Sequence, residues 1–516
     1  MSKSLLRSTT TVSSMTLISR VLGFARDMVF AYLFGAVGGF DAFVVAYKIP
    51  NFMRRLFAEG AFSQAFVPIL SEYRQQRSPE EAKQLIDRTA GSLTSVLLSV
   101  TILTEICAPL IIMLFAPGFI SDPERFDLAV NLLRITLPYL MLISLTAFSG
   151  AILNTYGAFG PPAFTPVLMN VALIAAGFSA SYLFSIPVKA LAWGVFLGGI
   201  FQLIFQGPFL LYKDLFPRFK FIRKDEGVNR IIKLMIPALF GVSVTQIGLL
   251  LDTLFASFLP DGSISWLYYS QQLCFFPLGV FGVALATVVL PQLSREHAKK
   301  SQDNYCAALD WALRCIFVIG IPAMIGLMFL AGPLIATLFK SGRFSVNDVW
   351  MARKSLLAFS FGLPFFMLVK VLASGFYSRQ DIRTPVRIAV VALFVNILLN
   401  VVLIYPLAHA GLALASAIGS LLNAGLLYYK LIQFKIFKPL PGWPRYFSRL
   451  FAANAVLAVT LYWWVPAMDQ WLEWARLWRA FQMLVWVGVG IIAYTASLWL
   501  TGLRFSDFKV RALLTE

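Results

Sequence analysis

The stretch AFVPILSEY, residues 65–73, occurs a second time in similar form as VVLPQLSRE, residues 288–296. Two more proline-centred segments recur in the same order: TLPYLML around Pro138 with GLPFFML around Pro364, and FTPVLMN around Pro166 with RTPVRIA around Pro385. The paired prolines are 223, 226 and 219 residues apart. A nearly constant separation predicts two copies of one unit, which we assign to residues 1–220 and 228–435.

The composition indicates a polytopic membrane protein. Of 516 residues, 59% are hydrophobic and 13% are charged, whereas soluble proteins carry about a quarter charged residues. The apolar residues form blocks of about 20, the length that crosses a hydrocarbon core. We predict an all-α fold of about fourteen transmembrane helices, near residues 9–35, 38–58, 88–115, 128–154, 162–184, 188–212, 229–258, 264–291, 305–338, 350–377, 386–405, 409–432, 446–466 and 478–501.

The two predicted copies contain six helices each. Odd-numbered connections of one copy match odd-numbered connections of the other, so the copies run parallel, and we expect two lobes around a central cavity. Residues 436–516 lie outside the duplication and supply two additional helices. Their tryptophans are typical of side chains that anchor at a membrane interface: Trp463, Trp464, Trp471, Trp474 and Trp478.

The distribution of basic residues predicts the orientation in the membrane. Lysine and arginine accumulate in the even-numbered connections, whereas one odd-numbered connection reads SDPERFD, residues 121–127. Because basic loops stay in the cytoplasm, both termini should be cytoplasmic. This pattern, with its attraction for anionic membrane lipids, accounts for most of the net charge of +18 and argues against nucleic-acid binding.

Few residues are suited to catalysis or to tight metal binding. The four cysteines lack CxxC spacing and the two histidines lie far apart, which disfavours a disulfide framework or a zinc site. An enzyme acting on a polyprenyl phosphate would need a nucleophile or a metal-binding cluster, and a structural scaffold would not need buried arginines. We therefore expect a transporter that is not an enzyme. A polar stretch, STTTVSSMT, also argues against a cleavable signal peptide.

The first two predicted helices carry unusual charges. Each charge costs roughly 2.5–3.5 kcal/mol at the centre of a membrane helix. Pairing or snorkelling explains some of them, but five cations face only three anions. A water-filled cavity that holds an anion explains the excess, because guanidinium groups make forked contacts to phosphate oxygens. The charged residues are Arg20, Arg26, Asp27, Asp41, Lys48, Arg54, Arg55 and Glu59.

Four motifs closely resemble the MurJ (MviN) family of lipid II flippases, within the multidrug/oligosaccharidyl-lipid/polysaccharide exporter superfamily. They are SRVLGFARD (19–27), DAFVVAYKIPNFMRRLFAEGAFSQAFVPILSEY (41–73), GAILNTYG (150–157) and YSRQDIRTPV (377–386). The resemblance extends over essentially the whole chain. It implies a protein of the bacterial cytoplasmic (inner) membrane that moves undecaprenyl-diphosphate-linked disaccharide-pentapeptide from the inner to the outer leaflet. That movement supplies peptidoglycan biosynthesis, and hence cell wall biogenesis and cell shape.

The resemblance also implies a mechanism and a set of substrate-binding residues. Family members alternate between inward- and outward-open states, with the lipid tail along a groove made by the last two helices. The matching cavity residues are Arg20, Arg26, Asp27, Asp41, Arg54 and Arg55. Lys48, seven residues after Asp41 on the same predicted helix, is a further candidate for substrate binding because of its charge. A family arginine in the eighth helix is replaced here by Gln272, within WLYYSQQLCFF, and Lys370 is a candidate to supply the missing charge.

A second candidate site is a sodium site, the one cofactor that the sequence suggests. Asp252, Asn396, Asn400 and Ser416 offer hard oxygen ligands, and some family members are thought to bind sodium in a similar arrangement. Hydrogen bonds between helices explain the same polar residues equally well. The alternative function is export of another polyprenyl-diphosphate-linked oligosaccharide or of drugs. The sequence identifies no protein partner and no energy source.

Overall fold

The protein is all-α, as predicted. The computed structural model describes residues 3–55, 62–220 and 225–503, and every regular element in these ranges is a helix. Glu59 lies outside the described residues. Nine helical segments in the described ranges are long and apolar enough to cross a membrane. Large apolar side chains remain exposed on them, as expected for surfaces that face lipid; examples are Leu103, Tyr182, Leu398, Leu484 and Ile492.

The chain divides into two compact units, Met1–Gly262 and Ser263–Glu516. Unit 1 contains α1 (Lys3–Phe34), α2 (Gly38–Arg54), α3 (Ser63–Gln76), α4 (Pro79–Ile106), α5 (Ala108–Phe115), α6 (Pro123–Thr136), α7 (Tyr139–Thr155), α8 (Gly160–Leu183), α9 (Lys189–Tyr212) and α10 (Glu226–Ala256). Unit 2 contains α11 (Ser263–Pro277), α12 (Val283–Ala298), α13 (Gln302–Phe329), α14 (Ala331–Leu338), α15 (Val346–Tyr377), α16 (Arg383–Gln433), α17 (Trp443–Trp464), α18 (Met468–Glu473) and α19 (Arg476–Leu500).

Side-chain caps explain where several of these helices begin. Ser78, Asp122 and Asp225 each accept a hydrogen bond from the backbone N–H three residues later, at the start of α4, α6 and α10. Ser345 and Asp348 form a reciprocal capping box at the start of α15. These contacts satisfy N–H groups that the first helical turn leaves without partners.

Within the described residues the fourteen predicted spans fall on helices apart from a few residues at their ends, but several are interrupted. Residues 56–58 of the second span lie outside the described residues. Cys107 separates α4 from α5, and Leu330 separates α13 from α14. The predicted spans 386–405 and 409–432 lie on the two sides of a break in α16. Ala408 forms this break with φ 49° and ψ −130°, and Pro406 precedes it, a residue that disrupts helical hydrogen bonding.

The unit boundary lies later in the chain than the predicted repeat boundary. Helix α10 would open the second copy at residue 228, yet it packs against α2, α3, α4 and α5 within unit 1. Residues 436–516, which we predicted as a separate segment, follow α16 within unit 2, where α17 packs on α13 and α19 packs on α14 and α17. The repeat limits 1–220 and 228–435 describe sequence similarity and stay a prediction.

The tryptophans of the C-terminal segment have different environments. Trp463 and Trp464 are 73% and 64% exposed, as expected of residues that contact lipid. Trp471 is fully buried, and its indole N–H donates to the Pro466 carbonyl at 3.2 Å. It packs with Leu330 and Met483 in a small core, so Trp471 is a core residue instead of an interface anchor.

Candidate substrate site in the first unit

Arg26 and Asp27 form a deeply buried ion pair on α1. Arg26 is 8% exposed and Asp27 1%. The guanidinium donates from Nε and Nη2 to the same carboxylate oxygen, Asp27 Oδ1, at 3.0 and 2.8 Å. Charge-assisted contacts of this kind are roughly twice as strong as neutral hydrogen bonds. They offset part of the cost of burying both groups and fix the direction of the guanidinium.

Asn170 on α8 connects this pair to the rest of the helix. Its Oδ1 accepts from Arg26 Nη1 at 3.1 Å, and its Nδ2 donates to the Ser19 carbonyl at 3.0 Å. The residue is 6% exposed. Asn170 therefore holds α8 against α1 and orients Arg26 from the side opposite Asp27.

Arg20 lies seven residues before Asp27 on α1 and is half-buried. Among the described residues, no carboxylate forms an ion pair with its guanidinium. The predicted sharing of one helix face by Arg20 and Asp27 follows from their spacing of seven residues along a continuous helix.

Asp41, at the start of α2, has partners that the sequence did not predict. It is fully buried, and its Oδ2 accepts from Arg125 Nη2 at 2.7 Å and from the Gly262 backbone N–H at 2.8 Å. Arg125 Nη1 continues to Asp261 Oδ1 at 2.5 Å. Arg125 also lies over the Phe119 ring, 4.0 Å from its centroid. These contacts tie α2, α6 and the segment after α10 together.

The ion-pair network borders a cavity of about 530 Å³. Carboxylates of Asp122, Glu124 and Asp127 line it together with Lys189. Arg20, Arg26, Arg54 and Arg55 do not line this cavity. It is therefore distinct from the arginine-rich cavity predicted from the first two helices, which stays a prediction.

Lys48 lies in the middle of α2, half-buried, and donates to Thr253 Oγ1 on α10 at 2.9 Å. The carboxylate of Asp252, next to Thr253, lies close enough to attract the ammonium group. The structure thus brings Asp252, which we predicted as a sodium ligand, to Lys48, which we predicted as a substrate contact.

Arg54 and Arg55 lie at the C-terminal end of α2, where cations are favourable to the helix dipole. Arg54 is half-buried and donates from Nε to Asn51 Oδ1 at 3.2 Å, and Arg55 is exposed. In unit 2, Gln272 on α11 and Lys370 on α15 are both described; Gln272 is half-buried.

Three of the predicted sodium ligands are neighbours on α16. Asn400 Nδ2 donates to Asn396 Oδ1 at 3.3 Å, and Asn396 Nδ2 donates to Ser416 Oγ at 3.3 Å. The second bond joins the two parts of α16 across the break at Ala408. Asp252 belongs to unit 1. Among the described residues, no group of three or more His, Cys, Asp or Glu side chains could hold a metal ion.

Sequence reasoning missed Asn170, Arg125 and Thr253, the partners of Arg26, Asp41 and Lys48. Asn170 ends the segment FTPVLMN, where a single amide stands in an apolar helix. Such a residue usually has a partner on another helix. Arg125 lies in SDPERFD, where its acidic neighbours concealed it as the cation that pairs with Asp41.

Comparisons with known proteins agree over nearly the whole chain. The profile of the family described as "Lipid II flippase MurJ" matches residues 30–481. A Vibrio cholerae protein named "Probable lipid II flippase MurJ" is 47% identical over 515 residues, with 98% of each chain covered. A solved "Lipid II flippase MurJ, inward closed conformation" is similar with a TM-score of 0.80 and 29% identity, covering 95% of this chain and 98% of that one.

A more distant similarity concerns the fold alone. An inward-facing multidrug resistance MATE family transporter of the MOP superfamily matches with a TM-score of 0.67 and 15% identity. The match covers 83% of this chain and 98% of that one.

Proposed function

We infer that this chain, which belongs to the MurJ family of lipid II flippases, is itself a lipid II flippase. It is a multi-pass membrane transporter of the inner membrane, and its substrate is lipid II. Movement from the inner to the outer leaflet by alternating access is the mechanism that we propose for it. Its role in the cell is then to supply the peptidoglycan precursor.

We propose that Arg26 is the principal contact for the diphosphate of the substrate. The observation that carries this proposal is the fixed guanidinium, held by Asp27 on one side and Asn170 on the other. A planar fork with a set direction suits phosphate oxygens, and a preset direction lowers the entropy lost on binding. Arg20, which has no ion pair among the described residues, would supply a second charge.

The observations support the other proposed substrate contacts to different degrees. Arg54 and Arg55 supply further positive charge at the end of α2, and Gln272 could donate a hydrogen bond without charge. Lys48 and Asp41 have protein partners in unit 1, so a role in substrate binding would require an exchange of partners during transport. Lipid-tail binding by α17 and α19 and a cytoplasmic location of both termini are further parts of this proposal.

We also propose sodium as an ion that modulates transport through Asn396, Asn400 and Ser416. Amide and hydroxyl oxygens are suitable donors for a hard cation, and these three groups are linked within hydrogen-bond distance. The test compares thermal unfolding in NaCl and in KCl at equal ionic strength. Stabilisation by sodium that is lost in Asn396→Ala supports the site, and equal stability in both salts contradicts it.

The experiment that tests the main proposal is complementation of bacteria depleted of their own flippase, together with a leaflet-specific assay for lipid II. Wild type, Arg20→Ala and Arg26→Ala are compared at matched membrane levels. The control variant is Arg343→Ala, which removes an exposed arginine outside every site proposed here. We expect wild type and the control to restore lipid II to the outer leaflet. Arg20→Ala and Arg26→Ala should lose most of the outer-leaflet lipid II. Failure of wild type would reject lipid II as the substrate.

A further inference from the structure

Two buried aspartates occupy the same place in the two sequence repeats. Asp87 lies near the start of α4 and Asp310 near the start of α13, and they are 3% and 2% exposed. They are 223 residues apart, the same separation as Pro68 and Pro291. The function described above uses neither residue.

Asp87 holds the segment that leaves α9. Its Oδ1 accepts a hydrogen bond from the Arg218 backbone N–H at 2.8 Å. Lys83, one helical turn earlier, forms an ion pair with the same carboxylate, and Lys220 Nζ lies 3.9 Å from Oδ2. A Cβ on Gly91 would lie 2.3 Å from the Lys220 carbonyl oxygen, so the segment crosses α4 at a glycine that allows direct backbone contact.

Asp310 holds the segment that leaves α16. Its Oδ1 accepts from the Leu440 backbone N–H at 3.1 Å and from the Trp443 indole N–H at 2.8 Å. Its Oδ2 accepts from Arg314 Nε at 2.7 Å. Leu440 is 222 residues after Arg218, so the donor is repeated along with the acceptor. The cation is one turn after the aspartate here and one turn before it in unit 1.

The contacts of Asp310 continue into α17. Arg314 donates from Nη2 to the Pro441 carbonyl at 3.2 Å, and the Tyr446 hydroxyl donates to the Arg314 carbonyl at 2.6 Å. The Arg314 guanidinium lies 5.0 Å from the ring centroid of Trp443. Every contact in this set joins α13 to residues 440–446, where the chain enters α17.

A buried carboxylate is stable only when its oxygens are satisfied. Here part of that satisfaction comes from the connecting segment, through the backbone N–H of Arg218 for Asp87 and of Leu440 for Asp310, and the second segment has no regular structure over 435–440. Detaching the segment would leave each carboxylate with fewer donors, since only the cation on its own helix would stay in place. Each aspartate therefore fixes a segment that would otherwise be free to move.

We propose that Asp87 and Asp310 are equivalent positioning residues, each of which fixes the segment leaving its own repeat to the third membrane helix of that repeat. Asp310 thereby sets the position at which α17 begins, and with it the pair α17 and α19. The effect of Asp310 on transport rests on the proposed function, because α17 and α19 form the proposed groove for the lipid tail.

The test measures distances between spin labels by pulsed electron paramagnetic resonance. One label pair, at Lys299 and Ser448, spans the segment fixed by Asp310; the other, at Gln76 and Phe219, spans the segment fixed by Asp87. All four label positions are exposed. The background replaces the half-buried Cys107 with alanine and keeps the three buried cysteines.

We expect Asp310→Ala to broaden the 299–448 distances and to leave the 76–219 distances unchanged, and Asp87→Ala to do the reverse. Each variant is therefore the control for the other. Asp310→Asn keeps an oxygen that accepts from Leu440 and Trp443, so its distances should stay narrow. Outer-leaflet lipid II should fall several-fold in Asp310→Ala and much less in Asp310→Asn.

Three results would contradict the inference. Unchanged distances in folded Asp310→Ala, or broadening of both label pairs by one substitution, would reject the positioning role. Broad 299–448 distances with normal lipid II movement would reject its importance for transport. Failure of wild type to move lipid II would reject the proposed function, whereas the distance measurements would still decide the positioning role.

Discussion

Buried charged side chains in unit 1 have two kinds of partner, one adjacent in the sequence and one distant in it. Arg26 pairs with Asp27, its neighbour in the sequence, whereas Asp41 pairs with Arg125, 84 residues away. The first pair fixes the direction of the Arg26 guanidinium, which is the property on which the proposed diphosphate contact depends. The second joins helices and is best described as part of the framework that positions α2.

The double variant Arg26→Met with Asp27→Leu separates recognition from stability. Removal of one partner leaves a buried charge without its counter-ion, whereas replacement of both by apolar groups is often neutral. We therefore expect Arg26→Met alone to lower the free energy of unfolding by about 3 kcal/mol and the double variant to recover most of it without recovering lipid II transport. Chemical unfolding and the leaflet assay measure the two effects, and transport by the double variant would contradict the role of Arg26.

The variant Arg26→Lys tests whether the forked donor geometry of the guanidinium is needed in addition to its charge. Lysine keeps the positive charge but cannot donate from Nε and Nη2 to one oxygen while Nη1 contacts Asn170. We expect normal membrane levels and at least a ten-fold loss of lipid II transport, which corresponds to about 1.4 kcal/mol. Full transport by this variant would show that charge alone is sufficient.

Asp41→Ala should act mainly on stability. It removes the carboxylate that satisfies Arg125 in a buried site, so we expect a loss of about 3 kcal/mol in the free energy of unfolding. Asp261, the second partner of Arg125, is 62% exposed at its side chain. Asp261→Ala is therefore the matched control and should have little effect. Equal thermal stability of both variants would contradict a structural role for Asp41.

Gln272→Arg restores the family arginine on α11. If position 272 faces the substrate, the added charge should be accommodated, and complementation should equal that of wild type or improve. Loss of folded protein in detergent would instead show that the position cannot accept a longer side chain.

The sequence predicted which residues are candidates for the site more fully than it predicted which residues they contact. Arg20, Arg26 and Asp27 are recognisable because charges in an apolar run are costly. The partners of Asp41 and Lys48 could not be predicted, because a periodic pattern places a side chain on a helix face but does not specify which other helix meets that face.

At the scale of single elements, the break in α16 is the least regular feature. After Ala408 the chain folds back so closely that a Cβ on Gly411 would lie 2.2 Å from the Leu403 carbonyl oxygen. Position 411 therefore requires glycine.

The variant Gly411→Ala should destabilise the protein by about 1–3 kcal/mol, the usual range for overpacking. Gly425 lies later in the same helix, and a Cβ there would meet nothing within 4 Å. Gly425→Ala is thus the control and should be neutral or stabilise by about 0.5 kcal/mol. Thermal unfolding in detergent compares the two, and equal effects would contradict the close approach at 411.

Helix positions were predictable from the length of the apolar runs, and helix interruptions were predictable only in part. The break in α16 falls in the gap between the predicted spans 386–405 and 409–432, where Pro406 lacks a backbone donor. The interruptions at Cys107 and Leu330 are followed by Pro109 and Pro333, each in the first turn of the next helix. Proline is tolerated in a first turn and disrupts a helix interior, yet the predicted spans 88–115 and 305–338 run through both sites because the apolar run was weighed above the proline.

For the whole molecule, the internal similarity predicted a duplicated fold but not the limits of its compact units. Sequence similarity records the order in which the copies follow one another, whereas compactness depends on which helices pack together. Arg230 on α10 makes a two-pronged ion pair with Glu72 on α3, 2.9 Å at both contacts, and Asp225 pairs with Arg88 on α4. These contacts hold α10 within unit 1.

The attachment of α10 has a consequence for recombination between related genes. A crossover in the connection after α9 would combine Glu72 and Arg88 from one parent with Arg230 and Asp225 from another, whereas a crossover after Gly262 inherits all four from one parent. Hybrids of this chain with its Vibrio cholerae relative should therefore accumulate and complement more often when joined after residue 262 than when joined near residue 220. Equal success at both junctions would show that α10 tolerates partners from another parent, and recombination could then exchange the gene at the limit of the predicted repeats as readily as at the limit of the compact unit.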